Sequence, residues 1–275
     1  MKSTKSSGKS DRERKILQSK YLSSGKIRLH YTEGPPNGPP LILLHGISVR
    51  WQSFLPIIPF LLPRRHIFAL DFRGHGESGR ADGSYAVDDY ATDVSALIAQ
   101  RIKETPIIFG HSLGGMVAMR VAAKVSVKAL VIGDSPMFSE TIRSRVSKTP
   151  SMKQLAGDSF SVNELAALLS KRFPGADPAF YRYWAQSRRK VDPEALKAFE
   201  QWFLQYDCTD DLTKITCPVM LLQSDWICDN DVARAKELSP DIIALKFENL
   251  SHELHNESRG YKVVAPILQF LESLE

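Results

Sequence analysis

Short, uninterrupted apolar runs alternate along this chain with longer segments in which apolar residues recur every three or four positions. The short runs begin near residues 41, 66, 106 and 128. Runs of this length are typical of strands buried on both faces, whereas the wider spacing, clearest at 87–102 and 116–125, predicts amphipathic helices. With a first hairpin at 21–33, the alternation predicts an α/β fold: a mostly parallel sheet with helices on both faces.

The alternation stops after residue 136. Residues 137–212 show helical patterning only, and a strand-like run reappears at 218–223. We therefore predict a core made of residues 21–136 and 213–275, interrupted by a helical cap at 137–212. The cap is rich in aromatic side chains, some of which we expect to line an apolar pocket. They include Phe173, Phe180, Tyr181, Tyr183, Trp184, Trp202, Phe203 and Tyr206.

One apolar run, at 106–109, ends in Gly110-His111-Ser112-Leu113-Gly114 and is followed by helical spacing. This pattern predicts a strand, a sharp turn and a helix, with the serine in a strained backbone conformation at the turn. Glycine is needed at 110 and 114 because a Cβ atom there would collide with the neighbouring strand and helix. The Ser112 hydroxyl is thereby exposed as a candidate nucleophile.

Three further motifs follow apolar runs in a fixed order. They are His45-Gly46-Ile47, the loop Asp71-Phe72-Arg73-Gly74-His75-Gly76-Glu77-Ser78, and Ser251-His252 near the C-terminus. Together with the serine turn, they make the chain resemble the α/β-hydrolase superfamily over residues 21–275. The resemblance implies an eight-stranded, mostly parallel sheet with helices on both faces and an inserted helical cap.

Ser112 needs a base that removes its proton, and His252 is the candidate because it lies in a loop after the last strand-like run. His255, three residues later, is a competitor, and the resemblance favours His252. The backbone N–H of Leu113 lies at a helix start, where an oxyanion is stabilised. The resemblance adds the N–H of Ile47 as the second donor of this oxyanion hole.

The acid that orients His252 has two candidates. In the commonest pattern of the superfamily, the acid would lie at position 227, which here is Ile227 and cannot orient an imidazolium. Asp225 lies in the same loop, and Asp134 ends an earlier strand-like run at 129–133. Some α/β-hydrolases place the acid at that earlier position, so the resemblance favours Asp134 and leaves Asp225 as the alternative.

The resemblance implies hydrolysis by acyl transfer, and we expect cleavage of a small carboxylic ester through an acyl-serine intermediate. The alternatives are hydrolysis of a C–N (amide) or C–C bond in a small catabolic acid, or a non-catalytic ligand sensor on the same fold. Basic cap residues are candidates for binding a substrate carboxylate. These are Arg182, Arg188, Arg189 and Lys190.

Charge and composition limit the classes of molecule that we expect the protein to bind. The formal net charge is +5, and residues 1–20 alone hold seven basic residues against two acidic ones. We therefore expect a flexible basic tail at 1–20, a neutral body that does not bind nucleic acid, and a small-molecule partner of apolar character.

We expect no membrane span, because no apolar run approaches the ~20 residues needed to cross a bilayer, and no secretory signal. Three cysteines, Cys208, Cys217 and Cys228, lack metal-site spacing, which favours reduced thiols in a cytoplasmic protein. The sequence also contains no phosphate-binding glycine motif and no cluster of residues with the spacing of metal ligands. We therefore expect neither a cofactor nor a metal.

Overall fold

The computed structural model describes residues 16–146, 160–172, 174–225, 229–256 and 261–275. Most of the predicted tail, at 1–15, lies outside these residues, as do part of the predicted cap at 147–159 and the positions of Phe173, Ile227 and Cys228. The first strand begins at Gln18, because residues 18–24 pair with the next strand, so the sheet takes in the last three residues of the predicted tail.

Eight strands form one sheet in the order β1-β2-β4-β3-β5-β6-β7-β8, which confirms the predicted fold class. The strands β1 and β2 are antiparallel to their neighbours, and the other pairs are parallel. Their bounds are Gln18–Ser24 (β1), Ile27–Glu33 (β2), Pro40–Leu44 (β3), His66–Leu70 (β4), Ile107–His111 (β5), Ala129–Gly133 (β6), Val219–Gln223 (β7) and Ile243–Lys246 (β8).

Helices follow or connect the strands, and a short 3-10 helix, Trp51–Phe54, follows β3. Their bounds are Ile58–Leu61 (α1), Val87–Arg101 (α2), Leu113–Ala122 (α3), Ser139–Val146 (α4), Val162–Arg172 (α5), Pro178–Arg188 (α6), Pro193–Phe203 (α7), Thr209–Leu212 (α8), Asp229–Leu238 (α9) and Tyr261–Glu272 (α10). In the described part of the chain, no helix combines the length and apolar character that a membrane crossing requires.

The central strands are buried on both faces because alternate residues point to opposite sides of the sheet. Ile42 and Leu44 of β3 pack in one apolar cluster with α2 and α3. Leu41 and Leu43 pack in a second cluster with α1 and α10. Each fully buried aliphatic side chain of this kind contributes about 1.5–3 kcal/mol. This two-sided burial explains why the strands appear as unbroken apolar runs in the sequence.

The helices α4–α7 lie between β6 and β7 in the chain, where the sequence predicts the cap. A third apolar cluster joins α5 and α6, and its aromatic members Phe180, Tyr181 and Trp184 pack there against Val49 from the loop after β3. Phe199 and Tyr206 belong to the large core cluster instead. Much of the aromatic content at 138–206 therefore packs helices α5–α7 together and against the sheet.

The two described cysteines, Cys208 and Cys217, are free thiols. Cys208 is buried in the large core cluster, and burial raises the pKa of its thiol. Burial also raises the pKa of Cys217, to about 11. Both side chains are therefore protonated at neutral pH and act as small apolar groups.

Candidate active site

Ser112 lies at the turn between β5 and α3, in the conformation that the sequence predicts. Its φ is 53° and its ψ is −116°, a combination that few non-glycine residues adopt. The Ser112 N–H donates to the carbonyl oxygen of Gly133 at 2.9 Å, which anchors the turn to β6. Strain of this kind costs about 1–3 kcal/mol and persists where the surrounding structure enforces it.

Close backbone approaches on both sides of Ser112 require glycine. A Cβ atom on Gly110 would lie 2.2 Å from the carbonyl oxygen of Gly114, and a Cβ atom on Gly114 would lie 2.0 Å from the carbonyl oxygen of Leu44. At Gly115, a Cβ atom would lie 1.8 Å from Oγ of Ser135. Helix α3 is thereby held directly against β3, β5 and the end of β6.

We expect Gly114→Ala to destabilise the protein by more than about 4 kcal/mol, because backbone atoms, which cannot rotate away, occupy the space of the new methyl group. Gly83→Ala is the matched control, since Gly83 has a φ of 78° but nothing within 4 Å of the added atom. That variant should lose only the about 1–2 kcal/mol of a left-handed conformation. Urea unfolding of both variants measures the difference, and equal losses would contradict the steric argument.

Asp134 and His252 are hydrogen bonded to each other. His252 Nδ1 lies 2.8 Å from Asp134 Oδ2, and the Asp134 side chain is 0% exposed. The same carboxylate accepts from Ser224, through its N–H and its hydroxyl, each at 2.7 Å. Because a carboxylate only accepts hydrogen bonds, the proton of this bond is on Nδ1, and Nε2 is the nitrogen of the neutral His252 ring that carries the lone pair of a base.

The position of Asp134 depends on its backbone. It follows β6 directly, its φ is 45°, and its N–H donates to the carbonyl oxygen of Leu222 at 2.8 Å. This left-handed conformation is one that aspartate tolerates better than most residues. The main chain therefore turns at the end of β6 with the carboxylate directed towards Ser224 and His252.

Asp225, the alternative acid, has a different partner. Its Oδ2 accepts from the backbone N–H of Asn249 at 3.0 Å, and both residues are exposed. This hydrogen bond ties the loop after β7 to the loop that carries His252. The structure therefore places the Asp134 carboxylate against the His252 imidazole and the Asp225 carboxylate against the backbone of Asn249.

His255, the competing base, is enclosed in the core. It is 1% exposed, and its ring stacks on Phe54 with centroids 4.8 Å apart. Burial lowers the pKa of His255 to about 3, so the ring is neutral at physiological pH. His255 is thus an apolar-packed histidine beneath the loop, while His252 is the one that contacts Asp134.

His111 joins the serine turn to the histidine loop, a role that the sequence analysis missed. Its Nε2 lies 2.8 Å from the carbonyl oxygen of His252, and the two ring centroids are 4.9 Å apart. A Cβ atom on Gly46 would lie 3.1 Å from His111 Nδ1 and 3.4 Å from Ser112 Cβ. Three segments of the chain, at residues 46, 111–112 and 252, therefore meet around His111, the residue before the serine.

Two backbone amides beside Ser112 fit the predicted oxyanion hole. Leu113 is the first residue of α3, and Ile47 follows Gly46 directly. Within the described residues, neither N–H donates to a backbone carbonyl group. Unpaired amides at a helix start, directed at the position of a developing negative charge, provide electrostatic stabilisation.

Two buried histidines, His45 and His75, hold the loop that contains Ile47. From the sequence alone they are visible only as parts of turn motifs. His45 Nδ1 lies 2.7 Å from the Gly46 carbonyl oxygen, and its Nε2 accepts from the N–H of Phe72 at 3.1 Å. His75 Nε2 accepts from the N–H of Ser48 at 3.3 Å. Burial lowers the pKa of His45, and it lowers the pKa of His75 to about 3. Both rings are therefore neutral and accept through Nε2.

The cap contacts the same loop through polar side chains. Trp184 Nε1 donates to Ser48 Oγ at 2.9 Å. The Tyr183 hydroxyl donates to the carbonyl oxygen of Arg50 at 2.9 Å and accepts from its N–H at 3.2 Å. Helix α6 is thereby fixed over the Ile47 loop, close to the serine turn.

One group of described residues offers donor atoms suited to a metal ion. His111, Glu253 and His255 each have one such atom within 4.8 Å of the others, and all three are buried. His111 already contacts the His252 carbonyl oxygen through Nε2.

Comparison with known proteins agrees with this architecture. The sequence profile of the alpha/beta hydrolase family matches residues 41–267. A 2-(acetamidomethylene)succinate hydrolase of Mesorhizobium japonicum is 26% identical, over 87% of this chain and 90% of that protein. An N-formylmaleamate deformylase of Pseudomonas putida is 27% identical, over 84% of this chain and 88% of that protein.

Among solved structures, that of E-2-(acetamidomethylene)succinate hydrolase superimposes with a TM-score of 0.82 at 24% identity. The match covers 93% of this chain and 99% of the other. At this identity the likeness establishes the fold, and the family profile spans the serine turn and the histidine loop. The chain therefore belongs to the alpha/beta hydrolase family.

Proposed function

We propose that this protein is a serine hydrolase in which Ser112, His252 and Asp134 act as a catalytic triad. The observation that carries the proposal is the 2.8 Å hydrogen bond from His252 to the buried carboxylate of Asp134, beside a serine held at a strained turn. This combination of nucleophile, base and orienting acid is what acyl transfer requires.

In the first half of the reaction, Ser112 Oγ attacks the carbonyl carbon of the substrate while His252 Nε2 takes the hydroxyl proton. Negative charge develops on the carbonyl oxygen and is stabilised by the N–H groups of Leu113 and Ile47. Asp134 stabilises the imidazolium that forms. The imidazolium then protonates the leaving group, whose bond to the acyl carbon breaks and leaves an acyl-Ser112.

In the second half, water replaces the leaving group. His252 removes a proton from a water molecule as it attacks the acyl carbon, and the same oxyanion donors stabilise the second intermediate. The imidazolium returns the proton to Ser112 Oγ as the acyl bond breaks. The products are a carboxylic acid and the leaving group, and the net reaction is hydrolysis.

The substrate class that we propose is a small carboxylic ester of apolar character. The Ile47 and Leu113 side chains are apolar, and the cap cluster with Trp184 and Val49 lies against the Ile47 loop. An apolar, enclosed site favours burial of an apolar acyl group and strengthens the oxyanion interactions by excluding water.

A second candidate is hydrolysis of a C–N bond in a small acid. Of the four basic cap residues that the sequence singles out, Arg188 is 3% exposed, while Arg182, Arg189 and Lys190 are exposed. A buried guanidinium one helical turn beyond Trp184 suits recognition of a carboxylate. The names of the M. japonicum and P. putida relatives, a hydrolase of an acetamido acid and a deformylase of a formylamide acid, support the same candidate.

A fluorophosphonate probe tests the shared mechanism. We expect rapid loss of activity with one adduct per chain, on Ser112 by peptide mapping, because the probe captures only an activated serine. Short p-nitrophenyl esters should show a burst of one equivalent of p-nitrophenol, the signature of an acyl-enzyme. Absence of both adduct and turnover would favour a ligand sensor.

Steady-state rates separate the two substrate classes. If the apolar site determines specificity, esters with neutral acyl groups should give the higher kcat/KM. If Arg188 determines specificity by binding a carboxylate, N-acyl derivatives of dicarboxylic acids should give the higher kcat/KM. The comparison needs a single protein preparation and no variant. A difference of about tenfold corresponds to only about 1.4 kcal/mol of selective binding and is easily measured.

A further inference from the structure

We propose that Ser19 is a second activated serine, independent of Ser112 and able to accept an acyl group. Its hydroxyl lies 2.8 Å from His30 Nε2, and His30 Nδ1 lies 2.8 Å from Asp71 Oδ2. Serine, imidazole and carboxylate are thus connected in the order that activates a nucleophile. None of the three residues takes part in the mechanism proposed for Ser112.

The antiparallel register of β1 and β2 creates this arrangement. Tyr21 pairs with His30 and Ser19 pairs with Thr32, so Ser19 and His30 are diagonal neighbours on one face of the sheet. His30 is 3% exposed, whereas Ser19 is exposed at the edge. The buried base is therefore held rigidly while the hydroxyl remains accessible.

The carboxylate is held as firmly as the acid of a catalytic triad. Asp71 Oδ1 accepts from the N–H of Trp51 at 2.9 Å, and Oδ2 accepts from the N–H of Glu77 at 3.1 Å. Burial acts to raise the pKa of Asp71, but the hydrogen bond from His30, with the nearby His45 ring and the bond from the Trp51 N–H, outweighs burial and lowers that pKa. The ionised carboxylate fixes the proton on His30 Nδ1, so Nε2 accepts from the Ser19 hydroxyl.

The hydroxyl opens onto a cleft large enough for a small acyl donor. The cleft has a volume of about 260 Å³ and is lined by Ser19 and His30 together with Leu17, Thr32, Trp51, Gln52 and Glu77. Gln52 Oε1 is buried without a hydrogen-bond partner among the described residues.

The reaction that this site supports is acyl transfer from an activated carboxylic ester. Ser19 Oγ bonds to the acyl carbon as His30 Nε2 takes the hydroxyl proton. The bond from the acyl carbon to the leaving oxygen then breaks, and His30 protonates the released alkoxide or phenoxide. The products are O-acyl-Ser19 and an alcohol or phenol, with no change of oxidation state.

The test uses the full chain carrying Ser112→Ala, which removes the principal nucleophile. After exposure to p-nitrophenyl acetate, peptide mapping by mass spectrometry follows acetylation of Ser19 and of Ser23 with time. Ser23 is an exposed serine on the same strand that also lies diagonal to His30, but the His30 ring is hydrogen bonded to Ser19 through Nε2 and to Asp71 through Nδ1. We expect Ser19 to react about 100-fold faster, the lower range of general-base catalysis.

Two variants on that background identify the cause. Ser19→Ala should abolish the adduct on that peptide, and His30→Gln should slow acetylation at Ser19 by about 100-fold without changing the rate at Ser23. Circular dichroism verifies that each variant is folded. Equal rates at Ser19 and Ser23, a comparison that needs no further variant, would overturn the proposal, as would an unchanged rate in folded His30→Gln.

The outcome is separable from that of the Ser112 mechanism. In the otherwise unaltered protein, Ser19→Ala should leave the Ser112-dependent turnover of esters unchanged, because the hydrogen bond of the Ser19 side chain within the described residues goes to His30, not to the serine turn or the histidine loop. Failure of Ser112 to react with a fluorophosphonate would contradict the proposed function and leave the acetylation of Ser19 to be judged by its own rates.

Discussion

Replacement of Ser112 by alanine should lower kcat by about 10⁴-fold or more, because loss of the nucleophile of a triad removes almost all of its covalent catalysis. The residual rate should be the contribution of the oxyanion donors at Leu113 and Ile47 and of substrate binding. Initial rates on a p-nitrophenyl ester measure the loss, which corresponds to about 5.5 kcal/mol of transition-state stabilisation.

The effect should not come from unfolding. Alanine and serine are strained to a similar degree by the backbone conformation at position 112, so the variant keeps the existing strain without adding to it. Ser53→Ala is the matched control, because Ser53 is also buried and its Oγ has no hydrogen-bond partner among the described residues. That variant should keep its turnover within about twofold. A Ser112→Ala enzyme that keeps more than a tenth of its activity would refute the assignment.

The sheet could be predicted from the sequence because its central strands are buried on both faces. Every residue of β3, β5, β6 and β7 is buried, so each strand contains an apolar run, which in β5 and β7 stops before the last residue of the strand. The edge strand β8 is exposed or half-buried along its length. The start of β1 could not be located, because Gln18 and Ser19 are polar and exposed and the strand is defined by pairing with β2.

The serine turn could be predicted because its geometry requires particular residue types. Gly110 and Gly114 leave no room for a side chain, and that requirement is visible in the sequence. The supporting contacts of His45, His75 and His111 could not be predicted. Each of them joins segments that are far apart in the chain, as in the hydrogen bond between His111 and His252. A local pattern carries no information about such a contact.

The sequence also could not decide which aspartate contacts His252, because that choice depends on contacts between distant segments of the chain. Asp134 and Asp225 follow adjacent parallel strands, β6 and β7, so both carboxylates reach the same edge of the sheet. Only the left-handed turn at Asp134 and the position of Ser224 determine which of them contacts the imidazole. Neither feature has a signature in the sequence.

Replacement of Asp134 by asparagine should lower kcat by about 10³–10⁴-fold with little change in stability. Asparagine has the same shape and tolerates the φ of 45° at this position. Its amide group donates hydrogen bonds, so it favours the tautomer of His252 with the proton on Nε2, where the lone pair is needed. His252 would then no longer accept the proton of Ser112.

Asp225→Asn is the matched control for this prediction. The new side chain keeps an amide oxygen that accepts from the N–H of Asn249, so the loop after β7 remains tied to the histidine loop. We expect its kcat to stay within about twofold of the parent, since an exposed polar contact of this kind contributes little.

The two aspartate variants are compared by ester turnover and by the rate at which a fluorophosphonate labels Ser112. Both rates should fall together in Asp134→Asn, because both depend on removal of the serine proton by His252. If Asp225→Asn lost activity while Asp134→Asn kept it, the hydrogen bond between His252 and Asp134 would be structural, and the acid would belong to the loop after β7. The 2.7 Å bonds from Ser224 favour Asp134, because they hold its carboxylate in a fixed position as charge develops on the imidazole.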